Sequence, residues 1–172
     1  MFPRAGAILS RRPADYNHRM YSALLLLHSW LRWAVILFAL AAIVRAVDGA
    51  RSRRAWRPGD DRVSRLFIIA LDVQILIGLV LYFGFSPITQ AALSDFGGAM
   101  KAAGMRFWAV EHVFGMVIGV ALAHAGRARA KRSPTDALKH RRLAVFYLLA
   151  LIAILASIPW PGMPYARPLL RW

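Results

Sequence analysis

The sequence predicts an all-α integral membrane protein, a four-helix bundle with both termini on the periplasmic side. Three observations carry this expectation. Hydrophobic residues make up 59% of the 172 positions, above the about 45–50% typical of soluble domains. They gather in four runs, each close to the about 20 residues a helix needs to cross a bilayer. The net charge is +15, and most of the 23 lysines and arginines sit in the segments between those runs rather than in a separate domain. There they are a topology signal, so the expected partner is the lipid bilayer and no nucleic acid is expected.

Residues 1–19, "MFPRAGAILSRRPADYNHR", read as a polar, basic leader. The apolar stretch within it is too short for a signal peptide, and Pro-Ala-Asp after Arg11 and Arg12 argues against a twin-arginine signal. Met20 is an alternative start to Met1. Residues 20–172 then form one four-span domain. The first span, "LLLLHSWLRWAVILFALAAIV", covers Leu24 to Val44, and the second covers Leu66 to Phe85. The third covers Phe107 to Ala125 and the fourth Leu143 to Trp160. Ser133-Pro134-Thr135-Asp136 predicts a helical turn leading into the fourth, with Ser133 as the cap and Pro134 at the first helical position. Pro159 and Pro161 close it.

Loop charge sets the orientation. Seven arginines lie between Arg45 and Arg65, and seven lysines or arginines between Arg127 and Arg142, whereas the segment between the second and third spans has only Lys101 and Arg106. The two basic loops are expected in the cytoplasm of a bacterium, which makes the protein a multi-pass component of the inner membrane. Trp30, Trp33, Tyr82, Trp108 and Trp160 fall toward the other face, as an aromatic belt does. The chain has no cysteine, which excludes disulfides, thiolate metal sites, iron–sulfur clusters and covalent haem attachment.

Ionisable residues inside membrane spans mark functional sites by default. His28 and His112 lie just inside the outer ends of the first and third spans, at depths of roughly 6 and 8 Å at helical rise. Those two spans run in the same direction, so both rings can face one interior space and serve as axial ligands of a haem b iron. Gly115 and Gly119 follow His112 by three and seven positions. On that face they leave room for a flat macrocycle, or else they form a GxxxG contact between helices. Arg32 is one turn from His28 and is placed to neutralise a haem carboxylate, to pair with Glu111, or to snorkel beside Trp30 and Trp33. Asp72 and Gln74 read as structural hydrogen-bonding groups, and His124 with His140 as a weaker second pair of metal ligands. No catalytic residue can be read.

"HSWLRW" opening the first span, "EHVFGM" opening the third, "KHRR" entering the fourth and "IPWP" closing it together resemble a group of small bacterial four-helix membrane proteins described as cytochrome b-like. The resemblance covers most of the chain from Met20 onward. It implies haem b held by His28 and His112. The better-known cytochrome b pattern has two histidines on each of two helices, and here the first span carries one. The resulting expectation is a haem electron-transfer protein that exchanges electrons with quinol or quinone, or with a respiratory complex. Competing readings are a cofactor-free accessory or assembly subunit of such a complex and a quinone-binding subunit using His28 and Arg32.

Overall fold

The structure is a computed structural model that describes residues 13–171, with side chains described from residue 17 onward. All regular structure among these residues is helical: α1 (Pro13–Arg51), α2 (Pro58–Val80), α3 (Pro87–Ser94), α4 (Phe96–Lys101), α5 (Ala103–Arg106), α6 (His112–Lys131) and α7 (Asp136–Ala156). Two π-helical turns, Leu81–Phe85 and Phe107–Glu111, extend α2 and lead into α6. Three continuous stretches, Asn17–Arg51, Pro58–Phe85 and Ala103–Lys131, are long and apolar enough to cross a membrane. Lys139, Arg141 and Arg142 occupy the start of α7, so its uncharged part, Leu143 to Ala156, is shorter.

The helix ends show where polar residues extend a helix past its apolar run. α1 reaches beyond Leu24–Val44 in both directions because no proline interrupts it between Pro13 and Arg51. Residues 13–19 of the expected leader are therefore part of α1, while residues 1–12, and with them the choice of start, lie outside the described residues. α2 begins at Pro58, eight residues before the apolar run, with Arg57 extended and proline at a position where no N–H is needed. The Asp60 carboxylate accepts from the Arg57 N–H at 2.9 Å. At α7 the cap is Thr135, whose Oγ1 accepts from the Leu138 N–H. Ser133 instead donates to the Arg129 carbonyl and finishes the preceding helix, which corrects the expected start.

α1 lies against α2 and α7, and α6 against α7 and α2. The core between them is built from Val35, Ala39 and Ala42 of α1, Phe67 and Leu71 of α2, and Tyr147, Leu151 and Ile154 of α7. Small residues on α1 let the backbones approach closely. Leu37, Val44, Leu76, Phe83, Phe114 and Ile152 point outward and are exposed, as a lipid environment requires.

The end of the molecule with the two basic loops is closed by ion pairs. Asp60, 4% exposed, meets Arg45 at 2.9 Å and Arg54 at 2.7 Å, and Arg54 also reaches Asp48. Arg127 bonds Asp61 at 2.9 Å and donates to Ser64, whose hydroxyl lies 2.7 Å from that of the buried Tyr147. The opposite end, where α3–α5 and residues 159–171 gather, is organised around histidines.

Candidate cofactor-binding site

α1 and α6 bring His28 and His112 close together at this end of the helix packing, with ring centroids 6.4 Å apart and planes at 67°. Two imidazoles sharing one metal ion, with bonds of about 2.0–2.1 Å as in zinc sites and roughly 1.1 Å from nitrogen to ring centre, would have centroids about 6.3 Å apart. The His112 ring is fixed by its Nδ1, 2.7 Å from the Ser157 carbonyl oxygen. That contact assigns the proton to Nδ1 and leaves Nε2 as the free lone pair, the usual arrangement for a metal-binding histidine. Phe107 and Trp108 flank the same ring at 5.8 and 5.5 Å.

The π-turn before α6 sets this arrangement. Its i→i+5 pattern widens the helix by one residue, and the carbonyl of Ala109 accepts a hydrogen bond from the Tyr82 hydroxyl at 2.8 Å. Tyr82 belongs to the other π-turn, and its own carbonyl accepts from Thr89 Oγ1 at 2.7 Å. The two widened turns are thus tied to each other beside the histidines.

A partly open crevice of about 100 Å3 runs between α1, α2 and α6 and is lined by both histidines with Gln74, Met116 and Arg167. An adjoining hollow of about 60 Å3 shares His28 and His112 and adds Arg32 and Arg171. Five buried side-chain polar atoms among the described residues have no hydrogen-bond partner. Three of them, His28 Nδ1, Arg32 Nε and Gln74 Oε1, belong to residues that line these spaces, and the other two are the ring nitrogens of His140. Buried polar atoms are nearly always satisfied in folded proteins. Their concentration here matches a site completed by a bound group. Gln74 uses its amide to donate to the His28 carbonyl at 3.0 Å, and Gly78 allows the His28 ring to approach α2: a Cβ there would lie 3.1 Å from Cε1.

The other residues singled out from the sequence fall elsewhere. Gly115 and Gly119 do not line the crevice. A Cβ on Gly115 would collide with Ser157 Oγ and one on Gly119 would lie 2.8 Å from Ile154 Cγ1, so both serve the close approach of α6 to α7. This corrects their assignment to the space beside a macrocycle. Arg32 does not pair with Glu111 but donates to the carbonyl of Leu169. Glu111 instead takes Arg106 at 2.7 Å, because the five-residue spacing of the π-turn puts those two on one face. His124 hydrogen-bonds Asp72 at 2.8 Å across the α2–α6 seam, with both side chains more than 40% exposed. His140 is wholly buried against Trp56, 4.9 Å between ring centres, in the notch left by Gly49. With different neighbours on different helices, these two histidines do not form a second site.

Arg167 and Arg171 were not legible as site residues. They follow Trp160 in a proline-rich tail with no periodicity, and only its long-range contacts bring them here. Trp30 Nε1 donates to the Arg171 carbonyl at 2.9 Å, Trp33 Nε1 to that of Leu169 at 3.1 Å, and Tyr165 stacks on Phe107 at 3.7 Å. Three of the aromatic residues read as a membrane belt, Trp30, Trp33 and Trp108, therefore hold or face the site. No protein-family model, curated protein or solved structure matches this chain.

Proposed function

We propose that the chain is a membrane electron-transfer protein that holds one haem b between His28 and His112. The carrying observation is the pair itself: two imidazoles from helices that do not adjoin, 6.4 Å apart, each bordering an open crevice, one oriented through Nδ1 by a backbone carbonyl. A haem bound there supplies one-electron redox chemistry, and the protein tunes it through ligands, hydrogen bonds and burial. His112 is oriented by Ser157, His28 is seated against Gly78 and Gln74, and Trp108, Leu71 and Met116 exclude water from the crevice.

In this reading α7, extended by Ser157–Trp160, is the fourth span, and the protein is a four-helix bundle in a bacterial inner membrane. Loop charge supports that orientation: the two loops with seven basic residues each lie at the end away from His28 and His112, which favours a cytoplasmic Arg45–Arg54 end and a cofactor near the periplasmic face. The open side of the crevice, lined mainly by apolar side chains, favours exchange with a membrane-soluble quinol or a membrane-bound partner.

The test is the reduced-minus-oxidised spectrum of protein purified in detergent. Bands of a six-coordinate, low-spin b haem are expected, and His28→Ala and His112→Ala should each abolish them or convert them to a five-coordinate, high-spin form. His124→Ala should leave them intact. A preparation that stays colourless when haem is supplied refutes the reading.

A further inference from the structure

We propose that Arg32, Arg167 and Arg171 form a carboxylate-binding clamp for the acidic edge of the bound cofactor, so that the C-terminal tail is part of the cofactor site. The inference rests on the haem reading and deepens it. All three guanidinium side chains line the hollow next to His28 and His112, and among the described residues no acidic side chain lines it with them. The acids nearest in sequence to His112 and α4 are engaged elsewhere: Glu111 with Arg106, and Asp95 as the cap of α4. Three like charges around a space partly walled by Val35, Leu71, Met116, Ile154 and Ile158 repel one another. An anion placed among them relieves that repulsion.

The hydrogen bonds point the same way. Arg32 donates only to a neutral carbonyl, that of Leu169, and its buried Nε has no partner. Arg167 has its guanidinium 5.3 Å from the centre of the Trp108 ring, and among the described residues its side chain has no hydrogen-bond or ion-pair partner. Arginine forks of this kind match the two oxygens of a carboxylate. The tail is not a loose end laid over the site. The indoles of Trp30 and Trp33 hold its backbone, the Arg167 N–H donates to the Pro159 carbonyl at 3.3 Å, and Tyr165 stacks on Phe107. These contacts carry Arg167 and Arg171 from beyond the last helix to a position opposite Arg32 on α1. A ligand held by imidazoles on one side and guanidinium groups on the other is a metal complex with carboxylates along one edge, as in haem b.

The experiment compares ferric haem b with its dimethyl ester, which keeps the iron and ring but has no carboxylates. Full-length protein produced under haem limitation is titrated with each in zwitterionic detergent, and binding is followed by the low-spin absorption band. The clamp predicts a preference for the diacid of about tenfold or more, the equivalent of one charge-assisted hydrogen bond. R167Q/R171Q should bring the preference below about threefold while keeping the low-spin band and lowering the midpoint potential. R167K/R171K, which restores charge without the fork, should recover part of it. Equal affinity of the wild type for both compounds overturns the clamp while the haem reading stands, as does an undiminished preference in R167Q/R171Q. If R167Q/R171Q instead loses only co-purified anionic phospholipid, the cluster is a lipid-phosphate site and the clamp is wrong. Binding of neither compound overturns both ideas.

Discussion

The two ends of the helix packing handle charge in opposite ways. At the basic-loop end, Asp60 sits between Arg45 and Arg54, and Arg127 is bonded to Asp61 and Ser64. Cations there have anions within hydrogen-bonding distance. At the histidine end, Arg32, Arg167 and Arg171 share a hollow with no described acid, and His28, Arg32 and Gln74 each leave a buried atom unbonded. The first arrangement is complete as it stands and its role is structural. The second leaves polar atoms without partners, and that difference is what motivates the proposed cofactor site. His140 tests this distinction, since it too has unbonded nitrogens. It lies outside both cavities, packed between Gly49 and Trp56, so there is no space for a ligand.

The contrast predicts unequal costs for comparable substitutions. The largest belongs to Asp60→Ala, which strands Arg45 and Arg54 and removes the partner of the Arg57 N–H. A loss of about 3 kcal/mol is expected in thermal or denaturant unfolding in detergent, whereas His28→Ala without cofactor should cost less than about 1 kcal/mol because an unsatisfied buried group leaves with the ring. Equal losses would erase the distinction between the two ends. Gly49→Ala comes next, at about 1–3 kcal/mol from forced repacking. Combining it with His140→Ala should recover most of that, and additivity of the two would mean that the notch is not the cause.

Tyr147→Phe removes the hydroxyl contact to Ser64 within the Arg127 network and should cost about 1 kcal/mol with no change in haem absorption. A spectral change would place that network in the site. Burial, reinforced by the nearby Arg54 guanidinium, holds the His140 imidazole below its ordinary pKa. The unfolded chain then binds the proton more readily, so stability rises with pH and this contribution is lost as pH falls below about 6.5. His140→Leu should match wild type at pH 8 and lose less stability between pH 6.5 and 5. An unchanged acid slope would remove His140 from the explanation. The smallest effect is expected for Asp72→Asn, since Asn still accepts the hydrogen bond from His124: less than about 0.6 kcal/mol, the average for an interhelical hydrogen bond in a membrane.

The all-helical architecture and its long apolar helices were readable because apolar runs and prolines are local signals. The facing of His28 and His112 was also readable, since equal depth on two parallel helices is a property of spacing. Spacing misled for Gly115 and Gly119. Positions i+3 and i+7 do share a face with His112, but that face is broad enough to meet both the crevice and α7, and α7 takes the glycines. The cap at Thr135 rather than Ser133 was a choice between two hydroxyls that local chemistry left open. The notch for His140 and the tail arginines depend on contacts between residues far apart in sequence, such as Arg32 with Leu169, for which no periodicity exists to be read.

The π-turn at Phe107–Glu111 gives the chain an unusual sensitivity to length. A π-turn is an α-helix with one residue inserted, so deleting a single residue there, Val110 for example, restores an ordinary ladder while rotating everything on its far side by about 100°. Tyr82, α3 and the tail would then meet a different face of the helix from the one that carries His112. Point substitutions at the same positions leave the register untouched. In this part of the chain the number of residues sets the site as firmly as the side chains of Phe107 and Trp108 do.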